Sequence, residues 1–305
     1  MATINYRTGI PQAVAINGVD AGGAMRIYVD EGFEERPESA PDGLEVTVQD
    51  KISQYCRGTL ETQDWVELIN IFSGTLGTYI FYERISGVAE LAGYVKHTLT
   101  NPVIHAIRLQ VRKGQYALIT CDFECLAADE TKGFADMHTQ LDAQAVPTYI
   151  SAARGGFRVT SATHGGTPVS FYHVTAFDFA MELDLVKECN DADVGYTCVD
   201  ARLSGMTPAG SITFQDQKVT TANLTAQALL AASPGPLVLQ LVQRQGATAQ
   251  VVTIARVDFK NMTRTVQAQK GGFAETVLNY AVNNDPTTPL TVAGVNKIIT
   301  IAAAA

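Results

Sequence analysis

A chain of 305 residues is long enough for one large or two ordinary domains, and 46% apolar with 17% charged residues supplies a core and excludes a disordered chain. A formal net charge of −9 argues against a protein that grips nucleic acid through its phosphates, which takes clustered Lys and Arg. The acid is uneven: residues 1–140 carry 19 Asp and Glu against 11 Lys and Arg, and residues 141–305 carry 12 against 11.

The start, Met1 to Arg7, has no basic head followed by an apolar stretch, so no secretory signal is expected. No apolar run reaches membrane-spanning length, and a soluble protein made in a cytoplasm is expected. Alternating β-branched and aromatic residues predict strands at Met25–Val29, Leu44–Val48 and Thr78–Tyr82. The acid run Asp30, Glu31, Glu34, Glu35, Glu38 and Asp42 reads as a solvated loop. Between 64 and 73, Trp65, Val66, Leu68, Ile69 and Phe72 recur at helical spacing, Asp64 and Glu67 are placed as a capping pair, and Gly74 supplies the stop. Trp65, the one tryptophan, is the expected anchor of that helix to its sheet. Ile104–Val111 and Tyr116–Phe123 predict a long hairpin closed by Arg112-Lys113-Gly114-Gln115. Farther on, strands are expected at Phe177–Leu185, Gly195–Leu203, Leu237–Val242, Val251–Phe259 and Thr263–Gln267, with a second helix between Thr220 and Ser233.

The same plan occurs twice. Arg57-Gly58-Thr59-Leu60-Glu61-Thr62-Gln63-Asp64, a helical stretch and Gly77-Thr78-Tyr79-Ile80 answer to Ala209-Gly210-Ser211-Ile212-Thr213-Phe214-Gln215-Asp216, a helical stretch and Gly235-Pro236-Leu237-Val238. Each copy closes on a Phe-Ala mark, at Phe134 and at Phe273. Such internal repetition governs the architecture. The reading divides the chain into an N-terminal arm (1–23), a first domain (24–137), a linker carrying an extended hairpin (138–170), a second domain (171–281) and a C-terminal β-ribbon or arm (282–305). Each domain is expected to be a β-sandwich or barrel with one flanking helix.

Catalytic motifs are wanting. The five histidines show no metal-ligand spacing, the glycine pairs lack the lysine of a phosphate loop, and no Gly-x-Ser-x-Gly elbow occurs. The five cysteines are scattered without a CxxC, so a disulfide framework is not expected, and Cys121 and Cys125 read as thiols lining a core. The reading is of a protein that is not an enzyme and needs no cofactor.

The order of strands, helix, Gly-led strand and closing hairpin, given twice, resembles the tail tube proteins of tailed bacteriophages and related injection systems. The resemblance implies β-sandwich or barrel domains in stacked rings around a hollow lumen, with two domains per chain giving trimeric, pseudo-hexameric rings. It implies a virion tail protein assembled in the host cytoplasm that partners itself, a tape-measure protein, a baseplate hub and a tail terminator. Double-stranded DNA would pass through without sticking, and no membrane would be bound. On that resemblance Asp122 and Glu124, on one strand face, are expected to line the lumen with Asp258 as their counterpart in the second copy. Arg154, Gly155, Gly156, Phe157 and Arg158 are expected in a hairpin that reaches the next ring. The alternatives are a tail hub that starts the tube and, further off, a carbohydrate-binding module or an enzyme.

Overall fold

The computed structural model describes residues 7–16, 19–20, 24–39, 46–62, 78–85, 94–115, 117–128, 134–144, 158–165, 167–168, 174–189, 198–215, 230–231, 234–242, 250–265, 275–283 and 298–303. The chain is mainly β. In order, the strands are β1 (Arg7–Ile16), β2 (Val19–Asp20), β3 (Ala24–Ser39), β4 (Val46–Thr62), β5 (Thr78–Ile85), β6 (Tyr94–Thr100), β7 (Pro102–Arg112), β8 (Leu118–Cys125) and β9 (His138–Gln144). One turn of helix, α1 (Phe134–Met137), precedes β9. There follow β10 (Arg158–His164), β11 (Thr167–Pro168), β12 (Val174–Cys189), β13 (Cys198–Gln215), β14 (Gly235–Val242), β15 (Gln250–Thr265), β16 (Glu275–Val282) and β17 (Ile299–Ala303).

The strands form a five-stranded sheet, β2-β1-β5-β6-β9, and a larger one, β11-β10-β14-β15-β16-β13-β12-β7-β8-β4-β3, with β17 also on β15. Alternation of side chains makes one face of each strand apolar. In β16, Thr276, Leu278, Tyr280 and Val282 are buried and the residues between them half-buried. The two sheets meet where the Tyr79 ring of β5 stands edge-on to the Phe123 ring of β8, with centroids 5.2 Å apart.

The second half repeats the pairings of the first. Gly58 of β4 lies opposite Val29 of β3 and Phe123 of β8, and Gly210 of β13 lies opposite Phe179 of β12 and Tyr280 of β16. From those anchors the β3–β4 ladder and the β12–β13 ladder run in step, with register shifts at the same three places: Ala24/Arg26, Glu34/Glu35 and Glu38/Ser39 in one, Val174/Ala176, Asp184/Leu185 and Glu188/Cys189 in the other. The bulge of β7 between Ile104 and Ala106 returns in β15 between Phe259 and Asn261. The correspondence extends to the ends. The hairpin β1–β2 answers to β10–β11, the pairing of β1 with β5 to that of β10 with β14, and β6–β9 to β15–β17.

β6 and β7 together therefore answer to the single strand β15. The join carries a left-handed residue in each copy, Asn101 at φ 46° and Arg256 at φ 49°. Pro102 follows Asn101, and its missing N–H ends the ladder there. Val257 keeps its N–H, and β15 continues unbroken, which is why Val251–Phe259 and Thr263–Gln267, expected as two strands, are largely one.

Several expectations are corrected by these pairings. The acid run read as a loop is strand through Ser39, because residues 46–57 of β4 pair with it. Residues 7–16, within the expected arm, and 158–164, within the expected linker and its extended hairpin, occupy matching places in the two sheets; β10 and β11 pair as a hairpin, and Arg158 lies opposite Val242. Cys198 departs from the expected absence of disulfides: it is disulfide-bonded, and the register sets it opposite Cys189. Cys56, Cys121 and Cys125 are free and buried. The helix of Trp65, the residues Arg154 to Phe157 and all but Leu230 and Ala231 of the second expected helix lie outside the described residues.

Candidate assembly surface

The two repeats join edge to edge where β7 pairs with β12. Arg108 lies opposite Ala180, Leu109 opposite Phe179 and Val111 opposite Phe177. On the core side of this seam Leu109, Val111, Phe177, Phe179 and Met181 are all buried. On the other face it is charged: Arg112 donates to Asp178 at 2.7 Å, and Arg108 stands 3.7 Å from Glu182.

Asp122 and Glu124 share that charged face. The Asp122 carboxylate accepts from the Thr59 hydroxyl at 2.8 Å and from Arg108 at 3.3 Å. Glu124 is buried, accepts from Lys187 of β12 at 2.7 Å and pairs with the His105 ring at 3.1 Å. Burial pushes its carboxyl up, but the hydrogen bonds and charges of His105 and Lys187 outweigh burial and hold it below the usual carboxylate range. With Tyr28, Arg57, Thr59 and His105, the two acids line an open groove of about 380 Å³.

Asp258 is not their positional counterpart. Asn279 answers to Asp122 and Ala281 to Glu124, and Asp258 is the cross-strand neighbour of Ala281 on the same face. It is ion-paired with Lys260. All three acids therefore carry a cationic partner, so each presents less bare negative charge than its residue type suggests.

Sequence spacing gave no warning of one polar cluster. His97 of β6 and His138 of β9 are hydrogen-bonded ring to ring at 3.0 Å, one donating and the other accepting. The chain continues to Glu31 of β3, 2.6 Å from His138, and to Glu83 of β5, 3.3 Å from His97. Phe81 stacks on His97 with centroids 4.4 Å apart. The cluster ties the small sheet to β3 of the large one. Its members are up to 107 positions apart in sequence, and only the sheet packing unites them.

Among the described residues no group of three His, Cys, Asp or Glu side chains is placed to hold a metal ion. No described helix is long and apolar enough to cross a membrane. In comparisons with known proteins, the chain matches no family profile and no curated sequence.

Proposed function

We propose that the chain is a structural tail tube protein of a tailed bacteriophage. Its two repeats act as tandem β-sandwich domains, each with a flanking helix, and three chains form a pseudo-hexameric ring that stacks into a hollow conduit for DNA. One observation carries this reading: the repeats are joined side by side through β7 and β12, an edge-to-edge arrangement that further copies of the chain could extend. A head-to-tail contact that repeats identically closes into a ring when its rotation divides the full turn, and a closed ring satisfies the open strand edges that would otherwise invite aggregation.

The charge balance supports a conduit. A chain of net charge −9 has little to hold DNA phosphates with, and passage requires that the lumen release what it admits. In this reading the chain partners itself, then a tape-measure protein, a hub and a terminator, and resides in the virion tail after assembly in the host cytoplasm.

Negative-stain microscopy of the purified protein tests the reading. Hollow filaments or stacking rings are expected. Discrete rings that never stack would move the assignment to a tail hub, and particles of single-chain size at all concentrations would overturn it.

A further inference from the structure

The chain contains one seam between repeats in full, and among the described residues the two halves of a second seam have no strand paired to them. At Val257, β14 and β16 flank β15 from opposite sides. Beyond Val257, β16 continues along one edge, and no described strand pairs with the other edge through Thr265. The equivalent edge of β7 is the one that β12 occupies. At the far end of the sheet, β3 has β4 as its only described strand partner. β3 is the counterpart of β12, and its Arg26, Tyr28 and Glu31 are exposed, Tyr28 by 52%.

We infer that these two edges pair with each other between copies of this chain, in the register that β7 and β12 already use. The inference rests on the ring reading above and names the surface that makes the ring. Ile104 answers to Phe259 and Val29 to Phe179, so the observed pair Leu109 with Phe179 becomes Arg264 with Val29 of the next copy. The neighbouring pairs follow: Asn261 with Gly32, Met262 with Glu31, Thr263 with Asp30 and Thr265 with Tyr28.

The chemistry of the two edges is complementary. Met262 and Arg264 lie on one face opposite Glu31 and Val29, and the diagonal brings the Arg264 guanidinium toward the Glu31 carboxylate. The other face sets Thr263 and Thr265 against Asp30 and Tyr28. Within the chain the matching core-side positions are Leu109, Phe179, Ile107 and Met181, all buried. The polar make-up of the inter-copy seam suits strands that stand in water until assembly, since charged edges resist wrong pairing. β1 lies beside β3 as β10 lies beside β12, and β10 does not keep β12 from β7.

The test is a register-specific cross-link in the full chain, Asp30→Cys with Thr263→Cys, oxidised after assembly. Covalent dimers and trimers are expected from this pair and none from Val29→Cys with Thr263→Cys, which would face opposite sides of the seam. Rings in the microscope without the first cross-link, or with equal cross-linking by both pairs, overturn the seam and leave the ring reading standing. Absence of rings in the unmodified protein overturns both. Should the cysteine variants not fold, Arg264→Glu is expected to weaken assembly at least tenfold and Arg264→Lys, which keeps the charge, to leave it within about twofold. Equal loss in both variants, or none in Arg264→Glu, with both folded by circular dichroism, overturns the proposal.

Discussion

Gly58 and Gly210 hold the same place in the two repeats, each beneath the backbone of a neighbouring strand. A Cβ on Gly58 would run into the Tyr28 carbonyl oxygen and the Phe123 ring, and one on Gly210 into the Asp178 carbonyl oxygen and the Tyr280 ring. Neither residue has a positive φ in the structure, so the requirement is for space and not for a special conformation. The Tyr280 hydroxyl uses that space to donate to the Asp178 carbonyl at 2.9 Å.

Gly58→Ala and Gly210→Ala should each therefore lower stability by about 1–3 kcal/mol, the usual effect of overfilling a packed site. Gly205→Ala is the control, because its Cβ would meet the end of the exposed Asp184 side chain, which can move. That variant should stay within about 0.5 kcal/mol of the parent. Urea denaturation of the three variants checks the ranking.

Those two glycines also explain how much of the fold was legible. The repeat is readable around Gly58 and Gly210 because packing there tolerates only glycine, and the hairpin Ile104–Phe123 is readable because its burial alternates. The acid run of β3 was not: Glu34 and Glu35 are exposed on the strand, and their composition alone looks like a loop. The ends of the repeat were also hidden, since His164 stands where the first copy has Ile16 and Ile299 where it has His138, swaps that leave pairing intact and erase sequence likeness. At the candidate assembly surface, the acids of β8 share one face, and their partners Arg108, His105 and Lys187 come from pairings that sequence does not reveal.

Glu124 gives the fold a dependence on acid. Its carboxyl is held below its unfolded value by His105 and Lys187, so its stabilisation is fully present above the unfolded-state carboxylate pKa and is lost as pH falls through the lower folded value. Glu124→Gln should cost about 1–3 kcal/mol at neutral pH by weakening a charge-assisted pair, and should flatten the fall in stability under acid conditions. Denaturant titrations of parent and variant at pH 7 and in the acid range would show it; parallel pH profiles would mean that Glu124 contributes nothing to the slope.

The link between sheets can be weighed through His138. Its ring lies between His97 and Glu31, and His138→Ala would leave the buried His97 without that hydrogen bond. A loss of about 1–3 kcal/mol is expected. Native-state hydrogen exchange should quicken first in β9, which this contact fastens to β3.

The thiols should be silent until the protein unfolds. Burial pushes Cys121 far above the ordinary thiol range despite a hydrogen bond with Tyr79, and Cys125 is raised by its hydrogen bond with Cys56 and by burial. A thiolate-specific reagent should find none of Cys56, Cys121 and Cys125 in the native protein and all three after denaturation. Rapid labelling of any of them in the native state would contradict the packing of the β4–β8 ladder.

The number of chains in the proposed ring bears most directly on the central claim. Native mass spectrometry of the smallest closed assembly should give the mass of three chains of 32.7 kDa, the signature of six repeats supplied two at a time. A closed ring of six chains, or a particle that remains one chain at every concentration, would contradict it.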